Sequence, residues 1–157
     1  MKLYEIPNFG KCEIHNILLD LNGTLTQFGN YPNGLKYLIQ EIKRFFEIYV
    51  ISANTRGTLD KIAEELGIKA IHIPKSKSEK ESKLTSLRVL DPEKTIVIGN
   101  GNNDIEIITQ SKIGIAVLGK EGTSIQTLIS SDLVVPSISD AFKILLDEKA
   151  LIATLRK

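Results

Sequence analysis

The sequence predicts an α/β fold with a doubly wound, Rossmann-like parallel sheet and helices on both faces. Short apolar runs alternate along the 157 residues with stretches whose apolar residues recur at helical spacing. The runs are nearly continuous, as in strands buried on both faces, and each connection between them is long enough for a helix. The length is that of one domain, and no stretch has the composition of a linker. We therefore expect residues 1–157 to form a single domain.

The elements follow in order from the apolar spacing. The first helix, for example, carries Leu35, Leu38, Ile39, Ile42 and Phe46 on one face. The predicted elements are a hairpin or edge strand over 2–16, strand 17–20, helix 35–46, strand 48–51, helix 59–66, strand 70–73, a helix through 84–90, strand 95–98, helix 105–108, strand 113–117, helix 125–129, strand 133–136 and helix 141–155. The last helix is expected to bury Phe142, Leu145, Leu146, Leu151 and Ile152.

Residues that break regular structure mark the ends of these elements. Gly67 is placed to cap the second helix, Pro74 ends the third strand of the sheet, and Asp91-Pro92 separates a helix from the next strand. The polar stretch 52–55 predicts a turn after the second strand of the sheet. Residues 75–83 form a mixed charge run, which is usually a solvated loop or the start of an exposed helix.

The composition excludes several classes of function. Hydrophobic residues make up 42% and charged residues 25% of the chain, and the net charge is +1, as in an average globular protein. Because nucleic-acid-binding proteins more often have a strong basic excess, no nucleic-acid partner is expected. No window approaches the roughly eighteen apolar residues of a membrane span. The single cysteine, Cys12, cannot form an internal disulfide and suits a reducing compartment, so we expect a cytoplasmic protein without a membrane partner.

Asp20, Ser52 and the Gly/Asn-rich turn 99–104 each stand where a predicted strand ends. On local sequence alone, an Asp in this place more often caps its own turn. Ligands of parallel sheets, however, bind beyond the carboxyl ends of the strands, so these residues share one crevice if their strands are neighbours. Lys83 comes from the helix before the third of these strands. Two acids, a hydroxyl and an amine beside a glycine-rich turn suit a phosphoryl group with a metal ion, and the Asp carboxylate would attack phosphorus.

Four stretches resemble, in order, the motifs of the haloacid dehalogenase superfamily. Residues 20–26, Asp-Leu-Asn-Gly-Thr-Leu-Thr, look like its first motif, Asp-x-Asp-Gly-Thr-Leu, and the ending is most similar to the form found in P-type ATPases. Ser52 resembles the second motif, Lys83 the third, and residues 99–104, Gly-Asn-Gly-Asn-Asn-Asp, the fourth, Gly-Asp-Gly-x-Asn-Asp. The resemblance spans roughly residues 13–135. It implies this superfamily's fold without a cap domain, closest to the soluble P-type-ATPase-like phosphorylation domains.

The resemblance also implies a reaction, a phosphohydrolysis through an aspartyl phosphate on Asp20 with Mg²⁺ as the cofactor. The implied catalytic residues are Asp20, Asn22, Ser52 and Lys83. The implied phosphate-binding residues are Ser52, Ala53, Lys83 and Gly23, and the implied metal ligands are Asp20, the main-chain carbonyl of Asn22, Asn100 and Asp104. Lys77 and Lys80 belong to the same charge run as Lys83, so it stays open which of the three lysines reaches the site.

Two asparagines depart from the family pattern. Asn22 stands where phosphatases of the family have a second Asp that protonates the leaving group and activates water, which an amide cannot do. Losing a positioned acid-base group lowers the rate roughly 10²- to 10⁴-fold. Asn100 stands where the family has a metal-binding Asp, and hard divalent cations are held mainly by carboxylate and phosphate oxygens. The resemblance therefore implies a slow enzyme, and the alternative is a phosphate- or metal-binding regulatory domain.

A response-regulator receiver also places Asp, Ser or Thr, and Lys at strand ends, but it is disfavoured because the acidic pair of receivers near the N-terminus is absent. No cap domain fits between the first two motifs, since residues 27–51 are needed for a turn, a helix and a strand. Capless members tend to act on large substrates or to close the site with a neighbouring subunit. The resemblance thus implies a phosphorylated substrate of unknown identity, and either a homo-oligomer or a macromolecular partner.

Some other polar residues receive structural interpretations. His15 and His72 lie in or beside apolar strands and are expected to be structural, away from the carboxyl ends of the strands. The turn 119–122, Gly-Lys-Glu-Gly, is expected to be an ordinary loop in preference to a phosphate cradle.

Overall fold

The computed structural model describes residues 1–53 and 57–157 and contains a six-stranded sheet and a separate two-stranded one. The strands are β1 (Lys2–Ile6), β2 (Gly10–Ile14), β3 (Asn16–Asp20), β4 (Glu47–Ser52), β5 (Lys69–His72), β6 (Thr95–Gly99), β7 (Ile113–Val117) and β8 (Leu133–Val135). The helices are α1 (Leu35–Ile42), α2 (Leu59–Leu66), α3 (Glu79–Val89), α4 (Ile105–Gln110), α5 (Ile125–Ser130), α6 (Ile138–Leu146) and α7 (Glu148–Leu155). The larger sheet has the order β5-β4-β3-β6-β7-β8, and all of its pairings are parallel. The predicted fold class is confirmed.

Both faces of the six-stranded sheet are buried. On one face Ile17 and Leu19 of β3 join a large apolar cluster with α1, α2, α6 and α7. On the other face Leu18 joins Leu87 of α3 and Ile107 of α4. Because each fully buried Leu or Ile contributes roughly 1.5–3 kcal/mol, β3 is held firmly from both sides. Asp20, its last residue, is therefore delivered to a well-defined position at the edge of the sheet.

The N-terminal residues form the predicted hairpin, and they do not extend the large sheet. β1 and β2 pair with each other in antiparallel register. Tyr4 packs into the large apolar cluster and donates its hydroxyl to the carbonyl of Leu145 at 2.7 Å. The hairpin thus packs against the C-terminal helices.

The C-terminal prediction is wrong in one respect, since residues 141–155 do not form one helix. They are divided between α6 and α7 at Asp147, whose side chain accepts a hydrogen bond from the Ala150 N–H at 3.1 Å. An Asp at this position caps the new helix, and this local bond competes with continuing the old one. Phe142, Leu145 and Leu151 are buried as predicted, whereas Leu146 and Ile152 are only partly buried.

Two further boundaries differ from the predictions. α1 ends at Ile42, four residues before the predicted end, and β4 begins at Glu47. α3 begins inside the charge run, at Glu79, after Ser78 caps it by accepting a bond from the Glu81 N–H. The part of the predicted polar turn at Asn54 and Thr55 lies outside the described residues. None of the described helices has the length and apolar character needed to cross a membrane.

Candidate active site

The strand-end residues meet at one edge of the sheet, as predicted. β3 lies between β4 and β6, and Asp20 is in register with Ile51, the residue before Ser52. Gly99, which opens the Gly/Asn-rich turn, ends β6 on the other side. Neighbouring strands lie about 4.8 Å apart, so the three strand ends border one crevice.

Lys83 crosses this crevice and contacts both acids. Its Nζ donates to Asp20 Oδ1 at 2.8 Å and to Asp104 Oδ1 at 2.7 Å, and its side chain is 0% exposed. Oε1 of Glu79, one turn earlier on α3, lies 3.5 Å from the Lys83 Nζ. The choice among the lysines is thereby resolved, because Lys80 instead pairs with Glu106 at the surface and Lys77 is exposed.

Burial and neighbouring charges shift the pKa values of Asp20 and Lys83. Burial, followed by the nearby charge of Asp104, raises the pKa of Asp20 to about 7, although Lys83 opposes both effects. Burial lowers the pKa of Lys83, but the charges of Asp20 and Asp104 and their hydrogen bonds outweigh it and hold that pKa above its ordinary value. Lys83 therefore stays charged, and it is the cation that makes two buried carboxylates tolerable.

Asp104 is held by the turn that precedes it. Its Oδ2 accepts hydrogen bonds from the backbone N–H groups of Asn100 and Gly101, each at 3.1 Å. A Cβ on Gly99 would lie 2.6 Å from the same oxygen, so the turn needs glycine there for the carboxylate to come this close. With Lys83 on Oδ1, both oxygens of Asp104 are engaged within the described residues.

Asn22 lies in the tight turn after β3. Gly23 N–H donates to the Thr26 carbonyl at 2.8 Å, and Thr26 N–H donates to the Leu21 carbonyl at 2.9 Å, which fixes the turn. The side-chain Oδ1 of Asn22 is buried and has no hydrogen-bond partner among the described residues. A buried oxygen without a partner is unfavourable by about 1–3 kcal/mol, and such atoms in native proteins call for a water, an ion or a ligand.

Asn100, the second departure from the family pattern, is fixed by hydrogen bonds on two sides. Its Oδ1 accepts from the Thr24 hydroxyl at 3.0 Å, and its Nδ2 donates to the Gly122 carbonyl at 3.1 Å. Because only the amide nitrogen can donate to a carbonyl, Gly122 sets the orientation of the amide. Gly23, with φ +80, lies directly against it, and a Cβ there would overlap the Asn100 side chain. The turns of the first and fourth motifs are thus joined through this amide.

The other predicted phosphate-binding residues lie beside this centre. Ser52 is buried at the end of β4, and Ala53 packs against the smaller apolar cluster. Gly23 has no side chain, so it could contact a phosphate only through its backbone. The roles of all the predicted site residues stay predictions, although their strand ends, turns and α3 converge on one edge.

His72 is not where the sequence predicted it. It is the last residue of β5, in register with Ser52, and its Nε2 lies 2.7 Å from Asp60 Oδ1 near the surface. The expectation that it is remote from a strand's carboxyl end is therefore wrong. Pro74 was the available signal, since a proline just after a strand marks where that strand ends.

Oxygen atoms at this edge fit a Mg²⁺ ion that brings most of its own ligands. Mg²⁺ in proteins usually keeps several waters and binds one or two carboxylates together with phosphate oxygens. Asp20 would supply a carboxylate, and Asn22, two residues later, has a buried Oδ1 without a hydrogen-bond partner among the described residues. The oxygens of Asn100 and Asp104, both predicted ligands, already accept hydrogen bonds. Across residues 1–53 and 57–157, no group of three or more His, Cys, Asp or Glu is placed to hold a metal ion.

Comparisons with known proteins agree with this fold. A family model described as haloacid dehalogenase-like hydrolase matches residues 69–125. An uncharacterised protein of Methanocaldococcus jannaschii is 47% identical over 83 residues, which cover 50% of this chain and 89% of that protein.

Solved structures share the fold at low sequence identity. One is the 3-deoxy-D-manno-octulosonate 8-phosphate phosphatase of Moraxella catarrhalis in complex with a magnesium ion, a phosphate ion and KDO, with TM-score 0.67, 20% identity, and 92% and 94% of the two chains covered. Another is the cobalt-bound deoxy-D-mannose-octulosonate 8-phosphate phosphatase of Haemophilus influenzae, with TM-score 0.71, 15% identity and the same coverage of 92% and 94%. At these identities the likeness shows the fold alone.

Proposed function

We propose that this chain, which belongs to the haloacid dehalogenase-like hydrolases, is a phosphohydrolase. It would form an aspartyl phosphate on Asp20. The observation that carries the proposal is the buried Lys83, which joins Asp20 to Asp104 at the carboxyl edge of the sheet beside Ser52. A buried acid whose pKa is shifted by burial and by specific charged neighbours is a candidate functional group.

In the proposed reaction Asp20 is the nucleophile. A carboxylate oxygen forms a bond to phosphorus while the bond from phosphorus to the substrate oxygen breaks, and the released alkoxide takes its proton from water. A water molecule then attacks the phosphorus of the aspartyl phosphate and passes a proton to solvent. The bond to Asp20 breaks, which gives inorganic phosphate and the free carboxylate.

The neighbouring groups position and neutralise the phosphoryl group. Lys83, already directed at Asp20, would offset the negative charge of the phosphoryl oxygens, and the Ser52 hydroxyl and the Gly23 and Ala53 backbone would orient them. Mg²⁺, when bound to Asp20 and the Asn22 carbonyl, supplies charge neutralisation and orientation of the phosphate. The solved phosphatases with a magnesium or a cobalt ion support a divalent metal in this fold.

Asn22 makes the proposed enzyme slow. A carboxylic acid at this position would protonate the leaving oxygen and then activate water, and an amide does neither, so both protons must be exchanged with solvent. Loss of such a group lowers the rate by roughly 10²- to 10⁴-fold. The phosphoenzyme would accordingly persist. A special likeness to P-type ATPases rests on the Gly-Thr-Leu-Thr ending alone and stays a prediction.

The second candidate function is a phosphate-binding regulatory domain without turnover. The hydrogen-bonded amide of Asn100 favours it, since the oxygen that the family pattern assigns to the metal is already engaged by Thr24. A cytoplasmic location, supported by the single buried Cys12, and a homo-oligomer are further parts of the proposal. Sedimentation of the purified protein tests the oligomer.

The decisive experiment compares the wild type with Asp20→Asn. Hydrolysis of p-nitrophenyl phosphate and acetyl phosphate is measured with Mg²⁺ and with EDTA, and intact-protein mass spectrometry after acid quenching looks for a hydroxylamine-sensitive phosphoryl adduct. Asp147→Asn is the matched control, because Asn caps a helix as well as Asp does. We expect activity and adduct in the wild type and in the control, and neither in Asp20→Asn. Hydrolysis that survives in Asp20→Asn would refute the proposal, and an adduct without turnover would favour the regulatory domain.

A further inference from the structure

A cavity of about 710 Å³ lies on the same edge of the sheet, to one side of Asp20. Leu118 and Pro136, which follow β7 and β8, form one wall, and the chain after the first motif forms the opposite wall. The Leu118 N–H donates to the Val135 carbonyl at 2.9 Å, so the two strand ends are joined at the base of that wall. The volume lies within the range of roughly 300–1,000 Å³ that is usual for small-molecule sites.

The lining of the cavity is apolar with a few polar groups. Phe28, Tyr31 and Leu118 contribute ring and methyl surface, and Ser137 contributes a hydroxyl. Among the described residues that line it, Lys120 carries charge, and the carboxylate at the rim, that of Glu121, is already engaged by the Phe28 N–H. Such a wall favours an occupant with an apolar body that is neutral or anionic, and it disfavours a cation.

The rim of the cavity is held in place by a set of hydrogen bonds. Gln27 donates to the Gly23 carbonyl at 2.8 Å and accepts from the Glu121 N–H at 2.9 Å. The carboxylate of Glu121 accepts from the Phe28 N–H at 2.8 Å. Phe28 has φ +52, a backbone conformation that a bulky residue rarely adopts, and its side chain is 62% exposed. The turn 119–122 therefore fixes an exposed aromatic ring at the mouth of the cavity.

The cavity adjoins the candidate active site through Thr24. Thr24 lines the cavity, and its hydroxyl donates to Asn100 at 3.0 Å in the turn that holds Asp104. We infer that this cavity binds the organic part of a phosphate monoester, the part that leaves when phosphorus is transferred to Asp20, and that it selects an apolar, neutral or anionic leaving group. The inference rests on the proposed function and specifies its substrate class.

Esters with matched aromatic leaving groups test the charge preference. We expect kcat/KM for 4-tert-butylphenyl phosphate to exceed that for 4-trimethylammoniophenyl phosphate, which has the same shape, although the electron-withdrawing cation makes the latter the more reactive ester. Lys120→Glu should reduce or reverse this preference. Lys11→Glu, an exposed change on β2, is the control and should leave it unchanged. Equal kcat/KM values for both esters in the wild type would overturn the inference.

Variants of the wall test the position of the site. Leu118→Asp should lower kcat/KM for 2-naphthyl phosphate about tenfold or more, because it replaces apolar contact by a charge. Ile129→Asp, at an exposed position on α5 that does not line the cavity, is the control. Phe28→Asn provides a second variant, since Asn accepts the positive φ and only the ring is lost. Thermal melting checks that each variant is folded.

A binding measurement separates this inference from the proposed function. Saturation of the wild type by 6-hydroxy-2-naphthoate, which has no phosphate, is followed by the ligand's fluorescence. Binding that Leu118→Asp abolishes and Ile129→Asp retains supports the cavity as the site even if no ester is hydrolysed, in which case only the proposed function fails. Hydrolysis that none of the wall variants alters would overturn the cavity assignment while the proposed function stands. A dimer that both Leu118→Asp and Phe28→Asn dissociate, with unchanged kinetics, would show that a second copy covers the cavity and would also overturn it.

Discussion

The substitution Asn100→Asp tests whether the fold requires an amide side chain at this position. The family pattern has a metal-binding Asp here, so the substitution would be expected to restore a lost function. In the structure, however, Nδ2 of Asn100 faces the Gly122 carbonyl at 3.1 Å. The replacement puts a carboxylate oxygen against that carbonyl and removes the only kind of atom that can donate to it. We therefore expect the metal-free variant to be less stable than the wild type.

The size of the effect follows from the contacts. One hydrogen bond is lost, which is equivalent to about 1 kcal/mol, and two acceptors are then brought together at a partly solvated position, so the total is about 1–2 kcal/mol. The added charge also lies in the turn that holds Asp104, where Lys83 already serves two acids. For a chain of this size, 1 kcal/mol lowers Tm by roughly 2–4 °C, so we expect a decrease of about 2–8 °C.

The assay is thermal unfolding in EDTA, followed by circular dichroism. Asn102→Asp is the matched control, because the Asn102 oxygen accepts from the Ser124 hydroxyl and the carboxylate can still do so. A second series adds Mg²⁺, which should raise the Tm of Asn100→Asp more than that of the wild type if the new carboxylate reaches the ion. An Asn100→Asp protein that melts in EDTA at or above the wild-type temperature would refute the reasoning about Gly122.

Three further outcomes are expected. Lys83→Met should lower the free energy of unfolding by about 3–5 kcal/mol, because it leaves two buried carboxylates without their cation. Urea titration measures this loss, with the exposed substitution Lys77→Met as the control. A loss below about 1 kcal/mol would contradict the buried pairing. Asn22→Asp should raise turnover of p-nitrophenyl phosphate by up to roughly 10²- to 10⁴-fold, and an unchanged or lower rate would show that the site is not arranged for acid-base chemistry at this position. Cys12, which is fully buried and whose thiol pKa is raised by burial, should react with a disulfide reagent only after denaturation, so immediate reaction of the native protein would contradict its placement.

The sheet and its strand-end residues were predictable because their signals are local. Each strand is a short apolar run, and Asp20, Ser52 and Gly99 are the residues at which those runs stop. Parallel packing then brings them to one edge without further information. The limits of local signals appear at Asp147, where a helix end depends on one or two residues that also fit an uninterrupted helix.

Lys83 shows what local sequence alone leaves open in the site, since only the resemblance to the family distinguished it from Lys77 and Lys80. It belongs to a charge run that local composition assigns to solvent, yet its side chain is fully buried. Its partners lie 63 and 21 residues away in sequence, on β3 and on the turn after β6. The Asn100 amide depends in the same way on Thr24 and Gly122, and only the folded chain brings these three together. Side-chain placement of this kind is set by tertiary contacts that no local pattern encodes.

The two asparagines have different consequences for function. Asn100 has partners for both halves of its amide, so the fold is built around the residue that is present, and the change from the family pattern is compensated locally. Asn22 has no such compensation, since its Oδ1 is buried without a partner in the described structure and lies two residues after Asp20. A buried oxygen of this kind calls for a water, an ion or a ligand as its partner. The rate of the proposed reaction therefore depends on Asn22, and Asn22→Asp tests this more directly than any change at Asn100 does.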